Sequence, residues 1–282
     1  MKLFASDLDG TLLDSRHAIS KVNLEAIGAL EDSGVTFAIA TGRAYLDVVD
    51  IMTKYHLHAA VICCNGACVY GDDGKIISKN ALPLSLLNEI CAMLTRSDIF
   101  FALNSPVTIN VKPDWEDALE KERPYAAEAD FAAMKSEFMS QAGLRYVDSY
   151  DEFFCGESDC CSISVMCMAK EKLERLTSFA RTKESISLTS SGNGSLEIAL
   201  KGSSKADGLR HLAGSMGIAM SETGAAGDNF NDLELLEVAA VSFAMENAPD
   251  EIKRITHFVT SSNEQNGVAE AINIIINGGH SK

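Results

Sequence analysis

The sequence predicts an α/β core with a mainly parallel sheet, interrupted by an inserted α+β layer. Three observations carry this. Short apolar runs alternate with helical patterns at the start of the chain, the same rhythm returns after residue 200, and between them strands and helices follow a different arrangement.

Residues 2–6 form a mostly apolar run ahead of Asp7 and Asp9, and Gly10 is a chain-turning residue, so a strand runs into a loop. Residues 20–34 place Leu24, Ile27 and Leu30 on one helical face and stop at Gly34. VTFAIA (35–40) is the continuous apolar run of a strand covered on both faces. A helix over 44–56 and a second run, AVICC (60–64), complete an alternation that calls for parallel strands with crossover helices. ACVYGDDGKIIS (67–78) alternates around Asp73-Gly74 as a hairpin does. LRYVDS, SISVMCM, ISLTS and SLEIAL read as further strands, with the helical KEKLERLTSFARTKE among them. The closing part reads as a helix over 205–217, a strand end at 224–228, a helix over 233–239, the strand AVSFAM and a helix over 267–277. This places an inserted domain at 84–190, flanked by segments 1–83 and 191–282 of one discontinuous core.

The length of 282 residues suits two domains. Hydrophobic residues at 46% and charged residues at 23% are ordinary globular usage, so disorder is not expected. No uncharged apolar run approaches the ~18 residues of a membrane span, and Asp7 and Asp9 interrupt any leader layout, which points to the cytoplasm. A net charge of -16 argues against nucleic acid, whose binding rests on Lys and Arg. An anionic substrate then needs a metal ion and a few placed cations to reverse the field locally. The cysteines at 63, 64, 68, 91, 155, 160, 161 and 167 read as reduced structural thiols, since CGESDCC (155–161) has neither a C-x-x-C pair nor a nearby His.

Each polar cluster of the core follows a strand-like run: Asp7, Asp9 and Thr11; Thr41, Gly42 and Arg43 of ATGR; and GDNFND (227–232). Taken singly, each also reads as an ordinary turn or helix entry. In an open parallel sheet, however, such strand ends share one edge, where ligands bind, so the three should converge. Their residue types suit phosphoryl transfer. Mg2+ takes oxygen ligands, usually one or two carboxylates plus waters and substrate phosphate, and Asp7 and Asp228 can supply them. A Thr hydroxyl, the Gly42 amide and a Lys or Asn side chain suit the remaining phosphate oxygens. Lys205, at a predicted helix start in KGSSKADGL, is the candidate cation, although taken alone it reads as a solvated surface lysine.

These segments resemble the haloacid dehalogenase (HAD) superfamily, and within it the Cof-type phosphatases with a C2 cap. DLDGTLL (7–13), ATGR (40–43), Lys205 and GDNFND match its four motifs in order, and CCNGACVY (63–70) and the stretch 243–272 add to the similarity. Glu246 stands where Gly is usual, and Leu235 where Met is usual. The resemblance implies a Rossmann-like HAD core with an inserted α+β C2-type cap. It also implies Mg2+-dependent hydrolysis of small phosphate esters, sugar phosphates or phosphorylated cofactors, through an aspartyl phosphate. Asp7 is then the nucleophile, and Asp9 is the acid and base whose main-chain carbonyl helps hold Mg2+. Leu8, Thr41, Gly42, Lys205 and Asn231 would hold the phosphoryl oxygens, while Arg43 and Asn65 would meet the substrate. Asp228 would bind Mg2+, with Asp232 as a support or occasional ligand. The implied partner is a small phosphorylated metabolite, with no nucleic acid or membrane, bound by a monomer or homodimer. A phosphomutase of the same superfamily and a non-catalytic phosphometabolite-binding protein are the alternatives.

Overall fold

The computed structural model describes residues 1–139, 144–150, 159–192 and 194–278. Along these residues run β1 (Leu3–Ser6), α1 (Lys21–Asp32), β2 (Thr36–Ala40), α2 (Tyr45–Tyr55), β3 (Ala60–Cys63), β4 (Cys68–Tyr70) and β5 (Ile76–Lys79). Next come α3 (Leu84–Arg96), β6 (Phe100–Asn104), β7 (Ile109–Val111), α4 (Trp115–Glu120), α5 (Glu128–Met139), β8 (Leu144–Tyr146), β9 (Ser162–Met166), α6 (Lys170–Arg181), β10 (Ile186–Gly192) and β11 (Ser195–Leu200). The chain closes with α7 (Lys205–Ser215), β12 (Thr223–Gly227), α8 (Leu233–Val238), β13 (Val241–Met245), α9 (Asp250–Ile255), β14 (Phe258–Thr260) and α10 (Gly267–Ile276). It divides into two units. The first comprises Met1–Gly42, Val48–Lys79 and the chain from Ser203 onward; the second comprises Arg43–Asp47 and Asn80–Gly202.

The first unit is built on an eight-stranded sheet in the order β14-β13-β12-β1-β2-β3-β4-β5. The first six strands are parallel, and the hairpin expected around Asp73-Gly74 adds β4 and β5 antiparallel at one edge. The central strands are apolar at nearly every position because both faces are covered. Leu3 and Ala5 of β1 pack in one core with Ala38, Ile62, Leu209, Leu212 and Leu235. Phe4, alternating to the opposite face, meets Phe37 at 6.3 Å and Phe243 at 6.0 Å between ring centroids. The strand order decides where chemistry can occur. From β1 the chain builds outward through β2 and β3 on one side and returns through β12 and β13 on the other. Such a switch point opens a crevice beyond the strand C-termini.

The second unit has a six-stranded sheet ordered β10-β11-β9-β6-β7-β8, antiparallel except where β7 meets β8. Alternation along β6 feeds two cores. Phe101 and Leu103 join Leu87, Ile90, Ile163 and Leu176, whereas Phe100 and Ala102 join Trp115, Leu119, Phe131 and Phe138. The boundary expected at 190/191 falls inside the β10–β11 hairpin. Leu196 and Ile198 of β11 belong to the first of these cores, so the unit continues to Gly202 and begins at Asn80. Its two ends meet: Asn80 Nδ2 donates to the carbonyls of Lys201 (3.5 Å) and Gly202 (3.4 Å).

The described cysteines, 63, 64, 68, 91, 160, 161 and 167, are buried, and Cys155 lies outside the described residues. Burial pushes the Cys91 thiol up to about 12 and that of Cys167 to about 11, which leaves both unreactive at neutral pH. Among the described residues no helix is long and apolar enough to cross a membrane.

Candidate active site

β1 ends at Ser6 in the middle of the sheet, and the next residue carries the first carboxylate. Asp7 is 5% exposed, and its N–H extends the ladder by donating to Ala226 O at 2.9 Å. Its Oδ1 accepts the Leu8 N–H at 2.7 Å and lies 2.8 Å from Lys205 Nζ. Lys205 opens α7, whose start is fixed by a capping box: Ser204 Oγ accepts the Asp207 N–H, and Asp207 Oδ2 accepts the Ser204 N–H. The ammonium also donates to Asp232 Oδ1 at 2.7 Å and is 1% exposed, which disposes of the surface-lysine alternative. Burial alone would lower its pKa, but Asp232 and Asp7 more than offset this and hold it above the ordinary value.

Asp232 closes the short turn Phe230–Asp232 after β12, and its Oδ2 accepts the N–H groups of Asp228 (3.0 Å) and Asn229 (3.1 Å). Asp228 Oδ1 accepts from Thr11 Oγ1 at 2.7 Å. Between Asp9 and Thr11, Gly10 has φ +74, and a Cβ there would collide with the Asp228 carboxylate. Both the left-handed backbone and the close approach therefore demand glycine.

The carboxylates of Asp7, Asp228 and Asp232 bring ligand oxygens within 4.8 Å of one another, with one ammonium among them. Burial and neighbouring charge show in the titration of Asp7 and Asp228. Burial and the neighbouring Asp232 push Asp7 well above the usual carboxylate range, against the pull of Lys205. Burial takes Asp228 up to about 6, with the Thr11 hydroxyl opposing and Asp232 adding to the rise. An all-oxygen donor set of three carboxylates around a single ammonium fits a hard divalent ion such as Mg2+. Asp232 is the most fully engaged of the three, taking the ammonium on Oδ1 and two backbone N–H groups on Oδ2, so Asp7 and Asp228 are the freer donors. The Asp9 side chain is 46% exposed, with Oδ1 3.7 Å from His17 Nδ1.

Thr41 follows β2 and is 1% exposed; its N–H donates to Ile62 O (2.8 Å), and its carbonyl accepts the Asn65 N–H (3.0 Å). Asn65, with φ 49, lies in the turn Cys64–Gly66 after β3. Gly66 has φ +99, and a Cβ on it would strike the Ser204 backbone, so this turn is seated on the start of the helix carrying Lys205. Asn65 Oδ1 accepts from Asn231 Nδ2 at 3.2 Å, and a Cβ on Gly42 would come within 3.1 Å of the Asn65 amide. Asn231 Oδ1 is buried without a hydrogen-bond partner among the described residues.

The first unit thus gathers Asp7, Lys205, Asp228 and Asp232 in one cluster and Gly42, Asn65 and Asn231 in another. Arg43 groups with the second unit. The Leu8 N–H donates to the Asp7 carboxylate. The role of Thr11 escaped the sequence because its partner lies 217 residues away; its place in D-x-D-G-T was the available signal.

The profile of the haloacid dehalogenase-like hydrolase family matches residues 4–272. Phosphatase YwpJ of Bacillus subtilis (strain 168) is 32% identical over 278 residues, covering 95% of this chain and 98% of that protein. The 5-amino-6-(5-phospho-D-ribitylamino)uracil phosphatase YwtE of the same organism is 32% identical over 285 residues, covering 99% of each. A solved haloacid dehalogenase-like hydrolase from B. subtilis superposes with a TM-score of 0.84 at 30% identity, over 97% of this chain and 99% of that one.

Proposed function

Because this chain belongs to the haloacid dehalogenase-like hydrolases, we propose that it is a Mg2+-dependent phosphatase of small phosphate esters that works through an aspartyl phosphate on Asp7. The observation that carries this reading is the buried Asp7–Lys205–Asp232 chain with Asp228 alongside, a nucleophile and cation at the switch point of a parallel sheet. Asp7, Asp228 and the Asp9 carbonyl would hold Mg2+, which supplies charge neutralisation for the transferring phosphoryl group. Asp232 serves better as the anchor of Lys205 and of the 228–232 turn than as a ligand.

In the first step an Asp7 carboxylate oxygen attacks phosphorus, the ester P–O bond breaks, and Asp9 gives its proton to the departing alkoxide. In the second, water attacks phosphorus, Asp9 takes its proton, and the Asp7–phosphorus bond breaks to release phosphate and restore the carboxylate. The exposure of Asp9 suits a group that must meet both leaving group and water. Thr41, Gly42, Lys205 and Asn231 would hold the phosphoryl oxygens. Asn65, bonded to Asn231, would then meet the rest of the substrate, as would Arg43. The two phosphatase relatives support a small phosphorylated metabolite such as a sugar phosphate or phosphorylated cofactor precursor.

The test is phosphate release from p-nitrophenyl phosphate with Mg2+ and with EDTA, followed by a panel of phosphorylated metabolites ranked by kcat/KM. Turnover should require the metal, and Asp7→Asn should lower it roughly 10⁴-fold or more in a folded protein. Near-wild-type hydrolysis by purified Asp7→Asn would refute the mechanism.

A further inference from the structure

The stretch 243–272 shares the family pattern yet contributes none of the catalytic groups named above. Within it, Asn247 follows β13, the strand beside the one that leads to Asp228. Its Nδ2 donates to Gly10 O at 2.8 Å and approaches Asp228 Oδ2 at 3.5 Å, the outer limit of a hydrogen bond. Its Oδ1 accepts the Asn263 N–H at 3.1 Å, and Asn263 Nδ2 donates to Leu13 O at 2.9 Å. A single amide therefore ties the loop after β1, the carboxylate after β12 and the turn at Asn263–Gln265. Thr11 grips one oxygen of Asp228 and leaves the plane of the carboxylate free to rotate. A second donor on the other oxygen restricts that rotation, and Gly10, pressed against the same carboxylate, leaves it little room to shift.

We infer that Asn247 is a positioning residue for the metal site, fixing Asp228 against the loop that carries Asp7 and Asp9 and thereby setting the affinity for Mg2+. The inference rests on the phosphatase reading for the identity of the ion. Groups that orient metal ligands from behind typically change affinity 10–100-fold when removed.

The experiment titrates Mn2+ into substrate-free protein, follows free Mn2+ by electron paramagnetic resonance, and displaces it with Mg2+. Asn247→Ala should raise both dissociation constants about 10-fold or more, with thermal unfolding in EDTA kept close to wild type. In turnover, the Mg2+ activation constant should rise by a similar factor, while kcat at saturating Mg2+ falls by a smaller one. Asn263→Ala, which loosens the same loops but leaves both Asn247 donors in place, should weaken binding less. An unchanged Mn2+ constant in Asn247→Ala overturns the inference, as does equal weakening in Asn263→Ala or failure of the wild type to bind Mn2+. If Asn247→Ala does not fold, Asn247→Ser must show the same loss. Because binding is read without turnover, a protein that binds Mn2+ but hydrolyses no ester counts against the phosphatase reading and leaves the role of Asn247 standing.

Discussion

In EDTA, the first unit should lose stability as the pH rises from 4.5 to 7, because its acidic cluster is then uncompensated. Asp228 titrates at about 6 in the folded protein against an ordinary 3.8. Between those values the folded state keeps a proton that the unfolded chain has released. Folding is thus favoured at low pH, and the advantage disappears as the pH rises through the folded value. A gap of about two pH units at ~1.36 kcal/mol each amounts to roughly 3 kcal/mol, of which about 2 is lost between pH 4.5 and 7. Asp7 is displaced in the same direction, so the change belongs to the coupled carboxylates as a group. The assay is denaturant unfolding in EDTA at both pH values, for wild type and Asp228→Asn, followed by far-UV circular dichroism. Tryptophan fluorescence is unsuitable, because the single tryptophan, Trp115, lies in the second unit. Wild type should fall relative to Asp228→Asn by about 2 kcal/mol over this range, and Mg2+ at pH 7 should recover the deficit in wild type alone. Parallel pH profiles for the two proteins would refute the account of the cluster.

Asp9→Asn should release one equivalent of p-nitrophenol per enzyme in a burst and then turn over slowly, as stopped-flow absorbance would reveal; equal losses with good and poor leaving groups would remove Asp9 from the acid and base role. Lys205→Met strips the ammonium from buried carboxylates and should cost about 3 to 5 kcal/mol in urea unfolding at pH 7. Gly66→Ala forces a side chain into a left-handed backbone and against Ser204, and should cost about 2 kcal/mol or more while raising KM, measured by thermal unfolding and steady-state kinetics.

The parallel core was legible because its strands are covered on both faces: VTFAIA and AVICC are apolar except at Thr36 and stop at Thr41 and Asn65 of the candidate site. The second unit was harder to read. β6 and β7 escaped notice because polar residues sit inside them, and part of their hydrogen bonding runs across the sheet. The Asn104 amide donates to Ser162 and Ser164, and Asn110 Nδ2 donates to Leu103 O. A local pattern cannot reveal partners 58 and 60 residues away. The candidate site divides in the same way. Its acids announce themselves as motifs, whereas the ties from Thr11 to Asp228, from Asn231 to Asn65 and from Asn247 to Gly10 join segments more than 160 residues apart.

The insertion of the second unit between β5 and α7 bears on how the molecule assembles. β1 can pair with β2 early, since Leu3 faces Thr36, but its other neighbour begins at Thr223. Closing so long a loop through a disordered chain is entropically unfavourable. If residues 80–202 fold first, the Asn80 contacts with Lys201 and Gly202 bring the ends of that excursion together. The remaining loop behaves as one of roughly 90 residues instead of roughly 220, which lowers the closure cost by about 0.8 kcal/mol on the logarithmic law for flexible chains. A substitution confined to the core of the second unit can therefore slow the pairing of β1 with β12, and so the formation of the Asp7 site, without touching any strand of the sheet that holds it.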